Sequence, residues 1–177
     1  RIENSIADLR SMIESVRSMH LLDIEKRSMN LAKANLSELV NSSLKTLEFQ
    51  LKNKNQSVEL GEVRSKVWCE PNILKNQVIN NLLSNAIKYS EKDIFINSEI
   101  TSQYINITVR DQGIGIPKEE QEYLFTRFFR AKNATNIQGT GLGLNIVRKY
   151  LELMNGTIEF KSELNEGTRF NVNFPLI

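Results

Sequence analysis

The sequence is poor in cysteine, histidine, tryptophan and proline, and it contains no long apolar run. Among its 177 residues there is one cysteine, Cys69, and one histidine, His20. A single cysteine excludes an intramolecular disulfide and a cysteine-based zinc site, so we expect a reducing, cytoplasmic location, with anchoring of a parent protein left open. No stretch approaches the ~20 apolar residues that span a bilayer, and no signal-peptide pattern is present, so we expect no membrane contact from this chain.

Charge is nearly balanced, which limits the classes of binding partner. With 23 Lys and Arg against 21 Asp and Glu, the formal net charge is +2. This excess is too small to indicate a nucleic-acid-binding protein. The length fits one domain with a short appendage. Because the chain begins at Arg1, inside a helical pattern, we expect it to be a piece of a longer protein.

The amino-terminal segment predicts a helix that pairs with another helix. Apolar residues recur there at alternating spacings of four and three: Ile2, Ile6, Leu9, Ile13 and Val16. Such a heptad seam is typical of a helical bundle or a dimer contact. His20 continues the register. It is either a phosphoacceptor or, as we favour, a partly buried bundle residue, because no neighbouring base would activate it.

A second helix is predicted from Leu36 to about Leu51, after a break at residues 32–35. Asn35 is the expected N-cap, with Glu38 as its capping-box partner three residues on. Short strands are expected near residues 58–63 and 66–69.

A polar face on the next predicted helix marks the first candidate binding element. Pro71 favours a helix start, and residues 72–89 contain no glycine or proline. At the helical period the apolar residues share one face: Ile79, Leu82, Leu83, Ala86 and Ile87. Asn81, Asn85 and Lys88 share the opposite face, with Tyr89 at its edge. This face is either a solvated surface or, because amide oxygens are hard ligands, a site for the magnesium ion of a nucleotide.

An aspartate followed by glycines ends a predicted strand. Residues 104–110 alternate apolar and polar side chains and lead into Asp111-Gln112-Gly113-Ile114-Gly115-Ile116. A carboxylate held there could accept a hydrogen bond from the exocyclic amine of adenine, with the isoleucines as apolar walls. The alternative is an ordinary sharp turn in which the aspartate only helps the chain to reverse.

Aromatic residues and glycines frame a polar loop. Residues 119–130 predict a short helix that ends in an aromatic cluster, with Arg127 or Arg130 placed to meet phosphate. Residues 131–138, the lid loop, lack apolar periodicity and predict a mobile segment. Gly139-Thr140-Gly141-Leu142-Gly143-Leu144 then opens a helix. These glycines form either a phosphate-binding turn that hinges the lid loop, or a tight crossing of an ordinary loop.

The carboxyl-terminal strands complete the predicted fold. Strands at residues 157–162 and 168–174 flank a turn at Asn165-Glu166-Gly167 and predict a hairpin. With the strands near 94–100 and 104–109, they predict an α+β fold: a two-layer α/β sandwich in which a mixed sheet is covered on one face by helices. We expect residues 1–32 to form the bundle helix and residues 33–177 the globular domain.

These motifs, in this order, resemble the catalytic ATP-binding domain of sensor histidine kinases, the Bergerat nucleotide fold. Residues 76–90 resemble its N box, residues 111–116 its first glycine box, residues 124–130 its F box and residues 139–144 its second glycine box. Glu166-Gly167-Thr168 resembles its terminal glycine motif. The resemblance covers the chain from about Leu36 to Ile177.

The resemblance implies that ATP and Mg²⁺ are cofactors. Asn85 would bind the magnesium ion, and Asn81 would lie beside the phosphates. Lys88 and Arg130 would contact phosphate oxygens. The implied catalytic residues are therefore Asn81, Lys88 and Arg130. The other implied ATP-binding residues are Tyr89 in the pocket wall, Asp111 as acceptor for the adenine amine, and the motif residues Gly113, Gly115, Ile116, Gly139, Thr140, Gly141, Leu142, Gly143, Leu144 and Thr168.

The amino-terminal segment resembles the second helix of the family's dimerisation and phosphotransfer hairpin, which implies that a homodimer can form. The family's phosphoacceptor is a histidine on the first helix, followed by an acidic residue and a nearby proline, and His20-Leu21-Leu22 does not match it. We therefore expect the chain to bind ATP without carrying its own phosphoacceptor. The implied activity is that of a protein-histidine kinase, which transfers the γ-phosphoryl group of ATP to a histidine on the missing helix, and thence to an aspartate of a response-regulator receiver domain.

Two other functions remain open at this point. One is a different ATPase, or a serine kinase, of the same fold. Against the ATPase, no glutamate occupies the face of the amide helix where a water-activating base would be needed. The other is a partner-binding module that no longer binds nucleotide, against which the intact Asn85, Asp111 and glycines argue.

Overall fold

The computed structural model describes residues 29–63 and 65–176, together with Ile13, Val16 and Arg17. Of the predicted amino-terminal helix, only Ile13, Val16 and Arg17 are described, and all three are helical. His20 lies outside the described residues, so its role remains a prediction. Within the described part of the chain, no helix is long and apolar enough to cross a membrane.

The secondary structure alternates between helices and strands in an α+β order. Three helices pack beside seven strands in the described ranges. In chain order the elements are β1 (Ala32–Asn35), α1 (Leu36–Asn53), β2 (Val58–Leu60), β3 (Lys66–Cys69), α2 (Pro71–Ile73, Leu74–Ile79 and Asn80–Tyr89 in succession), β4 (Ile94–Ile100), β5 (Tyr104–Arg110), 3₁₀ turns at Lys118–Tyr123 and Lys132–Ala134, α3 (Gly143–Leu153), β6 (Thr157–Glu163) and β7 (Gly167–Pro175).

Five strands form the main sheet in the order β2-β4-β5-β7-β6. β2 runs parallel to β4, with Val58 opposite Ile94, and the other neighbours are antiparallel. The predicted hairpin is present, because Glu163 pairs with Gly167 across a tight turn. The sheet is therefore mixed, and helices cover one of its faces, so the predicted fold class is confirmed.

The core lies between the helices and the inner face of the sheet. Alternate strand residues point into it, as a half-covered sheet requires: Ile94, Ile96, Ile105, Ile107, Val109, Phe170, Val172 and Phe174. From α1 the residues Leu36, Val40, Ser43 and Leu47 are buried at helical spacing. Asn35 caps α1 as predicted, because its Oδ1 accepts a hydrogen bond from the Ser37 amide at 3.0 Å.

Helix α2 buries the face that its sequence predicts, while Asn81 and Asn85 on its polar face are half-buried. The five predicted apolar residues of this helix are all buried. Its middle third, Leu74–Ile79, is π-helical. Such wide turns are frequent at functional sites.

Two local predictions were wrong. Residues 32–35 form strand β1 and not a break, because they pair with β3, with Ala32 opposite Cys69. Residues 119–130 do not form one helix. The helical turns end at Tyr123, and Phe128 adopts a left-handed backbone with φ of 62°, which no continuing helix allows.

Candidate active site

A pocket lies between the polar face of α2, the Asp111–Ile116 turn, residues 124–141 and the first turn of α3. The predicted site residues that line it are Asn81, Asn85, Lys88, Tyr89, Asp111, Gly115, Ile116, Arg130, Gly139, Thr140, Gly141, Gly143, Leu144 and Thr168. Gly113 and Leu142 do not line it. Leu142 has no exposed surface, so its side chain belongs to the core and only its backbone could take part in the site. Gly113 lies against the Tyr89 carbonyl, where an added Cβ would be 2.1 Å from the oxygen.

The pocket also contains residues that the sequence analysis missed: Ser84, Leu124, Ala131, Asn133, Ala134 and Phe170. Ser84 could have been found, because it lies three residues after Asn81 and therefore on the same helical face. Phe170 could not, because its place beside the pocket depends on the pairing of β7 with β5.

The two amides on α2 have different partners. Asn81 donates from Nδ2 to the Gln77 carbonyl at 2.7 Å, which fixes its rotamer. A Cβ added at Gly143 would lie 3.0 Å from Asn81 Oδ1, so that oxygen faces the start of α3. The Asn85 side chain has no hydrogen-bond partner among the described residues, so its amide oxygen is available to a ligand.

The Asp111 carboxylate is a buried part of the pocket lining. Oδ1 accepts hydrogen bonds from the Gly113 amide at 2.9 Å and the Thr168 amide at 3.2 Å. Within the described residues Oδ2 has no partner, so it remains free to accept from a ligand. Burial raises the pKa of Asp111, while the two backbone hydrogen bonds act in the opposite direction.

The glycine turn after Asp111 is pressed against the β6–β7 hairpin. Gly115 has φ of +62°, and a Cβ there would lie 1.9 Å from the Glu163 carbonyl oxygen. Only glycine fits such a position. The Ile116 amide donates to Ser162 Oγ at 2.9 Å, and that hydroxyl lies 2.9 Å from the Thr168 hydroxyl. The turn is therefore a rigid wall for a planar group that packs beside Asp111.

Tyr89 joins the helix end to that wall. Its carbonyl accepts a hydrogen bond from the Ile114 amide at 3.0 Å. Burial raises the pKa of the Tyr89 hydroxyl, and the positive charge of Arg130 opposes this shift. The phenol is therefore neutral at physiological pH and can donate a hydrogen bond into the pocket.

Arg130 holds the lid loop together. Its Nη2 donates to the carbonyls of Ala134 at 2.9 Å, Thr135 at 3.1 Å, and Ile137. These oxygens follow the short turn Lys132–Ala134, so the guanidinium caps that turn. Within the described residues the other terminal nitrogen, Nη1, has no partner, so Arg130 can meet an anion without releasing the loop.

The other end of the same turn is fixed by an acidic residue. Glu120 is 8% exposed, and its Oε2 accepts a hydrogen bond from the Lys132 amide at 3.0 Å. Asn133 donates from Nδ2 to the Gly115 carbonyl at 2.9 Å, which joins the loop to the Asp111 turn. The first half of the predicted mobile loop thus has a defined conformation. Its movement and its hinge remain predictions.

The first residues of α3, Gly143 and Leu144, line the pocket, and no side chain among the described residues caps this helix terminus. Leu142 is the N-cap residue and makes no side-chain hydrogen bond, and the first helical bond runs from the Ile146 amide to the Leu142 carbonyl. The amides of the first turn, together with the positive end of the helix dipole, favour phosphate. Lys88 and Arg130 add positive charge beside them.

The site thus provides a carboxylate for a hydrogen-bond donor, and amides, cations and a helix terminus for an anion. Comparison with known proteins identifies this class of domain. The family model of histidine kinase-, DNA gyrase B-, and HSP90-like ATPases matches residues 71–177. The chain belongs to this ATP-binding family.

Similar proteins place the chain more narrowly. It is 31% identical over 183 residues to the sensor protein RprX of Bacteroides fragilis. That alignment covers 99% of this chain and 35% of RprX. Histidine kinase AdeS of Acinetobacter baumannii superimposes with a TM-score of 0.80 at 26% identity, covering 97% of this chain and 80% of AdeS. Histidine kinase ThkA in complex with response regulator protein TrrA gives a TM-score of 0.75 at 26% identity. The match covers 97% of this chain and 49% of the ThkA chain.

These findings confirm the resemblance drawn from the sequence motifs. The chain contains the ATP-binding catalytic domain of the sensor histidine kinase type. It spans about a third of the length of RprX.

Proposed function

We propose that this domain binds ATP and transfers its γ-phosphoryl group to a histidine on another helix of the full-length protein. The observation that supports this most directly is the presence of two kinds of group in one pocket. Among the described residues Asp111 Oδ2 has no partner and the amino terminus of α3 has no side-chain cap, and Lys88 and Arg130 line the same pocket. Adenine needs an acceptor of the first kind, and a triphosphate needs donors and cations of the second kind.

The residues present also fit a magnesium ion that arrives with the nucleotide. In the described part of the chain, no group of three or more His, Cys, Asp and Glu residues could hold a metal ion. Asn85 offers one amide oxygen, and Mg²⁺ usually takes only one or two protein ligands beside phosphates and water. When bound, the ion would neutralise phosphate charge. Asn85 would hold it without adding negative charge to the site.

The main role of the residues of this chain would be to position the reacting phosphate, and covalent chemistry would be a lesser part of their role. Lys88 and Arg130 would bind phosphate oxygens, and Asn81 would orient groups beside them. Arg130 would do so while it keeps the lid loop folded. Closing the pocket by this loop would exclude water, which favours transfer to a histidine over hydrolysis.

The partners follow from the same reaction. We propose a response-regulator receiver domain as the final phosphoryl acceptor, because the similar kinase ThkA forms a complex with its response regulator TrrA. The phosphoacceptor helix of the same protein, a homodimer built on the amino-terminal segment, and a cytoplasmic location are parts of this proposal.

Labelled ATP can test the function directly. We expect the chain to bind Mg-ATP, and acid-labile, base-stable label to appear on protein only when the upstream helix is included in a longer chain. The His20→Gln variant of the longer chain should keep that label. Steady phosphate release by the chain alone, without labelled protein, would favour an ATPase instead. Failure to bind ATP would favour a partner-binding module.

A further inference from the structure

The carboxyl end of α2 is held by the loop that follows α1, whose residues Lys54 and Gln56 do not line the pocket. The last carbonyl groups of any helix lack partners within the helix. Here Lys54 Nζ donates to the carbonyls of Lys88 and Ser90, both at 3.1 Å. The same ammonium group lies 2.7 Å from Glu91 Oε1. The Lys54 side chain is 28% exposed, so it belongs to the packed structure.

Two neighbouring residues strengthen this contact. Gln56 is 8% exposed, and its Nε2 donates to the carbonyls of Ser90 and Lys92, both at 2.9 Å. The Ser57 amide donates to Asp93 Oδ1 at 2.8 Å. The segment 54–57 therefore binds the chain from residue 88 to residue 93.

The residues held in this way are those that supply the pocket. Lys88, whose carbonyl Lys54 binds, is one of the residues that line the pocket. Tyr89 follows it, and its carbonyl accepts from the Ile114 amide of the adenine-side turn. The end of α2 is thus fixed by a cation on one side and by the glycine turn on the other.

A lysine suits this place for two physical reasons. A positive charge at a helix carboxyl terminus interacts favourably with the helix dipole. An ammonium group also has three donors in a tetrahedral arrangement, which matches two carbonyls and one carboxylate. In sequence Lys54 is only one member of a polar stretch, and nothing local distinguishes it from Lys52.

We infer that Lys54 is a positioning residue of the nucleotide site: its ammonium group caps α2 and holds Lys88 where it meets the phosphates. This inference rests on the proposed phosphate contact of Lys88. Lys54 is not among the residues that line the pocket, so we expect it not to contact the nucleotide. It acts on affinity through the backbone of the residue that does.

Titration calorimetry with Mg-ATP, together with thermal unfolding, tests the inference. We expect Lys54→Met to weaken ATP binding about tenfold, a size typical of coupling between contacting residues. Lys52→Met is the matched control, because Lys52 is exposed and its ion pair among the described residues is with Glu48 within α1; it should keep wild-type affinity. Lys54→Arg should recover most of the affinity. Glu91→Gln removes the carboxylate but leaves the carbonyl cap, and it should change affinity little.

A double variant separates positioning from general stability. If Lys54 acts through Lys88, Lys54→Met should cause no further loss of ATP affinity in a Lys88→Ala background, while its effect on the unfolding temperature persists. Unchanged affinity of Lys54→Met, an equal loss in Lys52→Met, or independent losses in the double variant would each overturn the inference. Failure of the unsubstituted chain to bind ATP would instead refute the proposed function itself.

Discussion

Replacement of Asp111 by asparagine should reverse the base preference of the site. The asparagine side chain would keep an oxygen at the Oδ1 position, since the Gly113 and Thr168 amides both donate there. Its NH₂ group would then occupy the Oδ2 position, where the carboxylate has no partner among the described residues. A donor would face the adenine amine, which is itself a donor, so Asp111→Asn tests the base contact and leaves the turn intact.

The size of the effect follows from the burial of this group. Asp111 is 7% exposed. A hydrogen bond to a buried charged acceptor contributes about 1.5–3 kcal/mol, which corresponds to a loss of roughly 10- to 150-fold in ATP affinity. Asp111→Ala should lose at least as much, because it also removes the acceptor for both turn amides.

Calorimetric titration with ATP and with inosine triphosphate provides the assay. Inosine carries an oxygen in place of the 6-amine. The wild-type chain should therefore bind inosine triphosphate weakly, and Asp111→Asn should bind it better than ATP. Unfolding temperatures would show that both variants are folded. Equal ATP affinity in wild type and Asp111→Asn would refute the assignment of this carboxylate to the adenine amine.

Three further outcomes follow from the same geometry. Because burial raises the pKa of Asp111 above the ordinary value of about 3.9, protonation should weaken ATP binding as the pH falls through that raised pKa. The same protonation favours the folded state. ATP affinity measured against pH should show this acidic decrease in wild type but not in Asp111→Asn. Asn85→Ala should abolish the gain in ATP affinity that Mg²⁺ produces and leave magnesium-free binding unchanged, whereas replacement of the exposed Asn76 by alanine should leave binding as in wild type in the same titrations. Gly141→Ala should lower the free energy of unfolding by at least about 2 kcal/mol, since φ is +71° and the new Cβ would lie 2.6 Å from the Phe128 carbonyl carbon. Gly139→Ala, whose new Cβ would lie 3.5 Å from the Tyr89 hydroxyl, should have a free energy of unfolding close to that of wild type. Equal stability of the two variants would contradict this reasoning.

Much of the fold was predictable because it depends on local patterns. The buried face of α2 follows from the helical period, and the alternation in β5 follows from the period of a strand. The β6–β7 hairpin follows from turn residues between two alternating segments. The site motifs were also local: Asp111 with its glycines, and the glycines that open α3, each lie within a few consecutive residues.

The wrong predictions concern residues whose structure depends on distant partners. Residues 32–35 form β1 only because β3 pairs with them. The helix predicted after Glu119 ends early because the chain turns at Phe128, whose backbone packs against Gly141. Neither partner is recognisable from nearby residues.

Arg130 shows most clearly which features the sequence predicts and which depend on the tertiary structure. Its charge and its place before the lid loop indicated a phosphate ligand, and the sequence contained no sign that its guanidinium would bind three carbonyls of that loop. Backbone carbonyls are present at every residue, so composition cannot show which of them a side chain reaches.

The sequence by itself determined the ATP-binding class, the faces of the helices and most of the residue types that line the pocket, because those depend on short-range spacing and side-chain chemistry. Only the tertiary structure decided the strand order β2-β4-β5-β7-β6, the place of Phe170 beside the pocket and the contact of Lys54 with the end of α2. These features join parts of the chain that lie far apart in sequence, and their contacts exist only once the sheet and helices have packed.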